Sequence, residues 1–313
     1  MNKNTKIWVN YIAGGAISLV LLWSIYTQLL KQVSGVSTDA WKHTGWNGYL
    51  VLSVSLMGVN LLLESGKWYL LSNSAAQVSY PRAFASYLAG IAISLVTPNR
   101  IGDYPARILY LGATNTFRYI NVSILGLVSQ LSAIFLFGLA GLIHFNIFFP
   151  SYPVRIALVV CAVANVLIVL VYWKFEKWLP LLEKVSFLRR FAIYGRLLNR
   201  FPASRQAGIL ALSILRFSVF TAQYLFLLRW MNVNIPLADG FLTAALFFWA
   251  MAVIPSIALT GIAIRTKLSM LLFGSYSANM VGIVAATVGI WIINLVVPAI
   301  VGSILMIRMR LLR

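Results

Sequence analysis

Seven ionisable side chains stand inside or beside long apolar runs of this sequence: Glu64 and Lys67, then Arg100, Asp103 and Arg107, then Arg216, and finally Arg265. A lone charge at the centre of a bilayer costs roughly 3 kcal/mol, so such groups must face one another or a wet cavity. Four of the seven are arginines, and a guanidinium presents paired N–H donors that match phosphate or carboxylate oxygens. The chemistry this favours is the holding of an anionic headgroup. In that reading Arg100, Arg107, Arg216 and Arg265 share one basic cavity, and Asp103 and Glu64 partly balance it. Structural alternatives exist for each. Glu64 and Lys67, three apart on a helix, can form a local ion pair near the interface. Arg216 can be a salt-bridge partner of Glu64 or Asp103. Arg100 and Arg107 flank Asp103 and can close a loop tip by internal pairing.

Soluble-enzyme constellations are nearly absent. His43 and His144 are isolated, no glycine-rich loop precedes Lys-Ser or Lys-Thr, and no H-E-x-x-H occurs. No metal site, cofactor or catalytic residue is assigned. The whole chain has six acidic residues, which leaves little for a paired-carboxylate mechanism, although Glu64 and Asp103 are placed to serve ion or proton coupling. The single cysteine, Cys161, lies in the apolar run Val159-Val160-Cys161-Ala162 and reads as a small core residue.

The elements that position these charges follow from composition. Of 313 residues 61% are hydrophobic and only 10% charged, against roughly 25% charged in a soluble domain. The net charge of +19 then points to anchoring against anionic headgroups, not to nucleic acid, which would need a soluble basic face. A bilayer core requires roughly 20 apolar residues per helix, and six runs pass: 7–30, 48–71, 119–145, 154–173, 207–229 and 277–307. The first follows Lys3 and Lys6 but is too long for the core of a signal peptide, so it is expected to be a retained helix. Residues 174–206 are strongly basic, and Arg308, Arg310 and Arg313 end the chain. The positive-inside rule makes both segments, and both termini, cytoplasmic. Within 174–206, Trp178, Leu181, Leu182, Val185 and Leu188 recur at helical spacing, which suggests an amphipathic helix on an anionic leaflet; a solvated basic linker is the alternative.

Two apolar stretches, 83–97 and 241–254, are too short to span, and each runs into a proline followed nine or ten residues later by an arginine. In both, fourteen positions separate a phenylalanine from that proline: Phe84 from Pro98, and Phe241 from Pro255. Proline removes a helical hydrogen bond and clashes with the preceding turn, so breaks are expected at Pro98 and Pro255, with Gly102 and Gly261 helping the chain to fold back. Counting spans from a cytoplasmic N-terminus gives the two elements opposite orientations. The expected fold is therefore an all-α polytopic membrane protein, with about six spanning helices plus two broken re-entrant helical elements in an inverted repeat. It forms a single integral membrane domain over 1–313, with a first repeat 48–145 (re-entrant element 83–115), the basic linker 174–206, and a second repeat 207–307 (re-entrant element 241–275). Freed helix ends of this kind line polar sites in many transporters.

At these residues the chain resembles a known family. Lys67-Trp68-Tyr69-Leu70-Leu71, then Ser86-Tyr87-Leu88-Ala89-Gly90, then Thr97-Pro98-Asn99-Arg100-Ile101-Gly102-Asp103 with Arg107, is similar to the flippase-like membrane domain of bacterial lysylphosphatidylglycerol synthases. Ile254-Pro255-Ser256-Ile257-Ala258-Leu259 with Arg265 resembles that family's second signature, except that Gly261 and Ala263 stand where relatives commonly carry an acid and a glycine. The resemblance, over about residues 50–307, implies a multi-pass protein of the bacterial cytoplasmic membrane that moves an anionic or aminoacylated phospholipid between leaflets. With Arg313 as its end, the chain is expected to be a stand-alone member without the aminoacyl-transferase domain of the fused synthases. The expected partner is a phospholipid or polyprenyl-phosphate lipid within the membrane, with no nucleic acid. The competing functions are an integral membrane transferase on a lipid-linked substrate, with Asp103, Glu64 or Tyr104 as base or nucleophile, and a non-catalytic membrane subunit whose arginines pair with a partner.

Overall fold

A computed structural model describes residues 3–33, 45–97, 100–112, 116–184, 201–254 and 260–307. The described residues form helices throughout, with no strand among them. They are α1 (Lys3–Val33), α2 (Gly48–Ala75), α3 (Tyr80–Val96), α4 (Asp103–Leu111), α5 (Thr116–Phe148), α6 (Tyr152–Lys184), α7 (Ala203–Trp230), α8 (Leu237–Val253), α9 (Thr260–Phe273) and α10 (Met280–Met306). Six of these, α1, α2, α5, α6, α7 and α10, are long and apolar enough to cross a bilayer. Val159, Val160, Val163, Val166 and Leu167 of α6 are exposed, a continuous apolar face suited to acyl chains and not to water. This is a multi-pass membrane protein.

The short elements end where local chemistry stops them. Thr97 and Ile254, which cap α3 and α8, have left the helical region (φ −100°, ψ 141° and φ −76°, ψ 115°). Each precedes a proline, whose ring forces the residue before it into extended backbone. Pro98 and Pro255 themselves lie outside the described residues. The first break is closed by the Thr97 hydroxyl, which accepts from the Gly102 N–H at 3.0 Å. A Cβ on Gly102 would sit 2.7 Å from Ile93 Cγ2 and 2.8 Å from Thr97 Cγ2, so only glycine lets the chain turn this tightly. Beyond it α4 runs back along α3, and Arg82 at the start of α3 donates through Nη2 to the Leu111 carbonyl at the end of α4 (2.9 Å). The second pair behaves alike: Tyr276, just past α9, lies 3.4 Å from Thr243 near the start of α8. Gly261 falls in the first turn of α9.

The two halves, α2–α5 and α7–α10, exchange their short helices. α2 packs on α7, α3 packs on α10, and α8 packs on α5. Each exchange is made possible by a glycine in the long receiving helix. Gly302 of α10 lies directly against the Leu88 carbonyl of α3, and Gly141 of α5 lies against the Leu242 carbonyl and Leu246 of α8. Small residues at such contacts let backbones approach where lipid supplies no hydrophobic drive. α1 packs outside on α10 and α6 on α5. One difference from the hydropathy reading is that α6 continues past Trp173 to Lys184. The charge at Lys174 ends the apolar run and not the backbone hydrogen bonding of the helix. The remainder of the expected amphipathic helix, 185–200, lies outside the described residues.

Candidate functional site

The site begins at Glu64, which is 3% exposed in the middle of α2. One helical turn on, Lys67 Nζ lies 2.8 Å from Glu64 Oε2. The other acceptors of this ammonium are Gln130 Oε1 on α5 (3.3 Å) and Ser213 Oγ on α7 (3.4 Å). One ion pair and two hydrogen bonds, from three helices, thus surround the buried ammonium. Two further cations converge on the same carboxylate: Arg107 Nη1 at 3.4 Å from Oε1, and Arg216 Nη1 at 3.3 Å from Oε2.

Arg107 is also held by Asp103, one turn back on α4, through a fork of two 2.7 Å bonds, Nε to Oδ1 and Nη2 to Oδ2. Its guanidinium carbon lies 5.3, 4.8 and 4.6 Å from the ring centroids of Trp68, Tyr87 and Tyr104, a box of three π faces. Trp68 is fixed by donating from Nε1 to Ser86 Oγ at 2.8 Å. The box depends on Gly90 of α3, where any Cβ would collide with the Asp103 carboxylate and the Arg107 stem.

Arg216 ends a directional chain of amides. Its Nε donates to Asn60 Oδ1 (2.9 Å), Asn60 Nδ2 to Asn294 Oδ1 (3.4 Å), Asn294 Nδ2 to Gln223 Oε1 (3.0 Å), and Gln223 Nε2 to the Ser53 carbonyl (2.9 Å). A pure donor at one end and a pure acceptor at the other leave each amide one orientation. Asn294 sits within a π turn, Ile292–Val296, that interrupts α10; such turns re-aim side chains and recur at functional sites. Arg216 Nη1 also donates to Gln130 Oε1 at 3.0 Å, so Nη2 is left without a partner among the described residues.

Arg100 and Arg265 stand apart from this network. Arg100, exposed in the first break, adopts φ 57°, the left-handed region that residues other than glycine rarely occupy. Its side chain makes no hydrogen bond or ion pair with another described residue. Arg265, one turn into α9, has a buried Nη1 with no hydrogen-bond partner among the described residues, and its guanidinium lies 6.0 Å from the Trp291 ring centroid. Arg100 feels Arg265 and Arg216 as like charges and Asp103 as an opposite one.

Of the residues singled out from sequence, Glu64, Asp103, Arg107 and Arg216 are joined in one ion network, with Lys67 in it, while Arg100 and Arg265 make no hydrogen bond or ion pair with it. The pairings Glu64–Lys67, Glu64–Arg216 and Asp103–Arg107 all form. Sequence reasoning overlooked Asn60, Gln130, Ser213, Gln223 and Asn294. Amides inside apolar runs incur the same desolvation argument as charges, and that signal was available.

A sequence model of the family described as the lysylphosphatidylglycerol synthase TM region matches residues 11–302. The chain belongs to that family. Comparison with curated proteins and with solved structures finds no match. The lysylphosphatidylglycerol synthase match runs from α1 into the last turns of α10, and every residue of the ion network and the amide chain falls inside it.

Proposed function

We propose that this protein is a flippase-like lipid translocase that moves an anionic or modified phospholipid, or a lipid-linked phosphate, across the bacterial cytoplasmic membrane with both its termini cytoplasmic. The observation that carries the reading is the pair Arg100 and Arg265. Each follows one of the two helix breaks, and neither is hydrogen-bonded or ion-paired to an acid among the described residues, whereas Arg107 is paired with both Asp103 and Glu64. Uncompensated guanidinium groups in a low-dielectric setting attract phosphate strongly. In this reading the α3–α4 and α8–α9 pairs are re-entrant elements of an inverted repeat. Supporting it, α3 is received by α10 and α8 by α5, in each case the long last helix of the other half. The headgroup passes between these elements while its tails remain in lipid.

A transferase would need a free base or nucleophile. Glu64 and Asp103 are both engaged by cations, and Tyr104 lies under the Arg107 guanidinium. Translocation needs none of these groups to be free. The test is reconstitution of purified protein in liposomes with a labelled anionic lipid. Leaflet exposure should change while the mass of the lipid does not; a mass change would move the assignment to a transferase.

A further inference from the structure

Lys67 is buried in the middle of α2, and holding a headgroup on arginines leaves it without a task. The three cations that meet Glu64 are not equivalent. Arg107 and Arg216 are permanently charged, because a guanidinium does not give up its proton in a protein. A lysine ammonium does so readily once it is taken out of water.

The surroundings of Lys67 suit both of its protonation states. As an ammonium it has its ion pair with Glu64 Oε2 at 2.8 Å and donates to Gln130 Oε1 at 3.3 Å and Ser213 Oγ at 3.4 Å. As a neutral amine it keeps two N–H groups for Glu64 and Gln130 and gains a lone pair. The buried Ser213 hydroxyl, which makes no other hydrogen bond among the described residues, can turn and donate to that lone pair. Loss of the proton does not strand Glu64, since Arg107 Nη1 stays 3.4 Å from Oε1 and Arg216 Nη1 3.3 Å from Oε2. A buried pair of one lysine and one carboxylate has no such second arrangement, because the carboxylate is then left uncompensated.

Lys67 and Arg216 also contend for the same two atoms. Glu64 Oε2 lies 2.8 Å from Lys67 Nζ and 3.3 Å from Arg216 Nη1, and Gln130 Oε1 accepts from both, at 3.3 and 3.0 Å. Of the cations on Glu64, Arg216 is the one open to approach: its side chain is 26% exposed, against 3% for Arg107 and 1% for Lys67. An anion that draws Arg216 off these oxygens leaves them to Lys67 and favours the ammonium; the return of Arg216 favours the amine. The charged groups around this exchange are Glu64 on α2, Arg107 on α4 and Arg216 on α7. Tyr87 of α3 and Tyr104 of α4 lie against Arg107, and α5 and α10 bring the amides Gln130 and Asn294.

Resting on the translocase reading above, we propose that Lys67 is a proton-binding site that couples capture of the headgroup at Arg216 to uptake of one proton. The Lys67 amine takes the proton from water as the anion engages Arg216, and the ammonium returns it to water when the anion leaves. One proton then accompanies each lipid.

The test is calorimetry of the full-length protein in detergent, titrated with short-chain phosphatidylglycerol in two buffers of different ionisation enthalpy, from about pH 6 to about pH 9. The phosphodiester probe holds one fixed charge throughout, so the difference between buffers counts protons taken up by the protein per lipid bound. Uptake should approach one proton at its maximum, with affinity falling about tenfold per pH unit on the alkaline side of it. Lys67→Met is never charged and Lys67→Arg always is; both should bring uptake close to zero. The count is made per lipid bound, so a changed affinity does not disturb it, and the two variants between them supply whichever charge state folding requires. Binding without proton uptake at any pH, with leaflet transfer intact, overturns this proposal and leaves the translocase standing. Uptake that persists in either variant places the proton elsewhere and overturns the assignment to Lys67. Failure of the wild-type protein to bind or move the lipid removes the translocase reading, and this proposal with it.

Discussion

At the scale of single residues, the arginines of this site divide by what they leave behind when removed. Glu64 is the common counter-ion of three cations, so Glu64→Gln strands buried positive charge and should cost about 3–5 kcal/mol. A clear drop in melting temperature in detergent is expected; unchanged melting would mean that the network does not hold α2, α4 and α7 together. Arg216→Gln is different. Glu64 keeps Lys67 at 2.8 Å and Arg107 at 3.4 Å, so no buried acid is stranded. Arg100 makes no side-chain hydrogen bond or ion pair with a described residue, and Asp103 keeps its fork from Arg107. Both Arg100→Gln and Arg216→Gln should therefore express near wild-type levels and lose translocation in proteoliposomes. Transport retained in both variants would rule out this basic site.

At the scale of elements, the arrangement rests on close backbone approach. The carbonyl of Leu88 occupies the place of a side chain on Gly302, and no rotamer change can move a carbonyl aside. Gly302→Ala must push α3 away from α10 and should destabilise by about 1–3 kcal/mol. Gly58 on α2 meets nothing within 4 Å, and Gly58→Ala should be neutral or stabilise by about 0.5–1 kcal/mol. Thermal unfolding of the two variants side by side separates a packing glycine from a merely helical one; equal melting temperatures would contradict the exchange of short helices. The amide chain makes a second element-level prediction. Asn294→Leu leaves Gln223 Oε1 and Asn60 Nδ2 without their bonds and loosens the Arg216 guanidinium. Half-saturation for the transported lipid should rise several-fold with the maximal rate less affected, whereas a purely structural loss would lower the amount of folded protein instead.

At the scale of the whole molecule, orientation is the open test of the inverted repeat. In a Cys161→Ser background, single cysteines placed at Ser186 and Asn232 should react with an impermeant thiol reagent from opposite sides of intact cells; labelling from the same side would end the inverted-repeat proposal. The spans themselves were legible from hydropathy, because lipid demands about 20 apolar residues per crossing and leaves no backbone group unpaired. The ends of α3 and α8 were legible too, since the residue before a proline cannot stay helical. The intramembrane charges announced themselves by their cost. Their pairing did not. Asp103 lies three residues after Arg100 and four before Arg107, yet only Arg107 holds it, because both sit on one face of α4 while Arg100 is turned into a left-handed break. Glu64 collects cations from α2, α4 and α7, and the amides of α2, α7 and α10 line up end to end. Local chemistry determines where a helix starts, stops and must hide a charge; which charges meet is decided by how the helices cross, a property set by distant glycines at the contacts and by no short stretch of sequence.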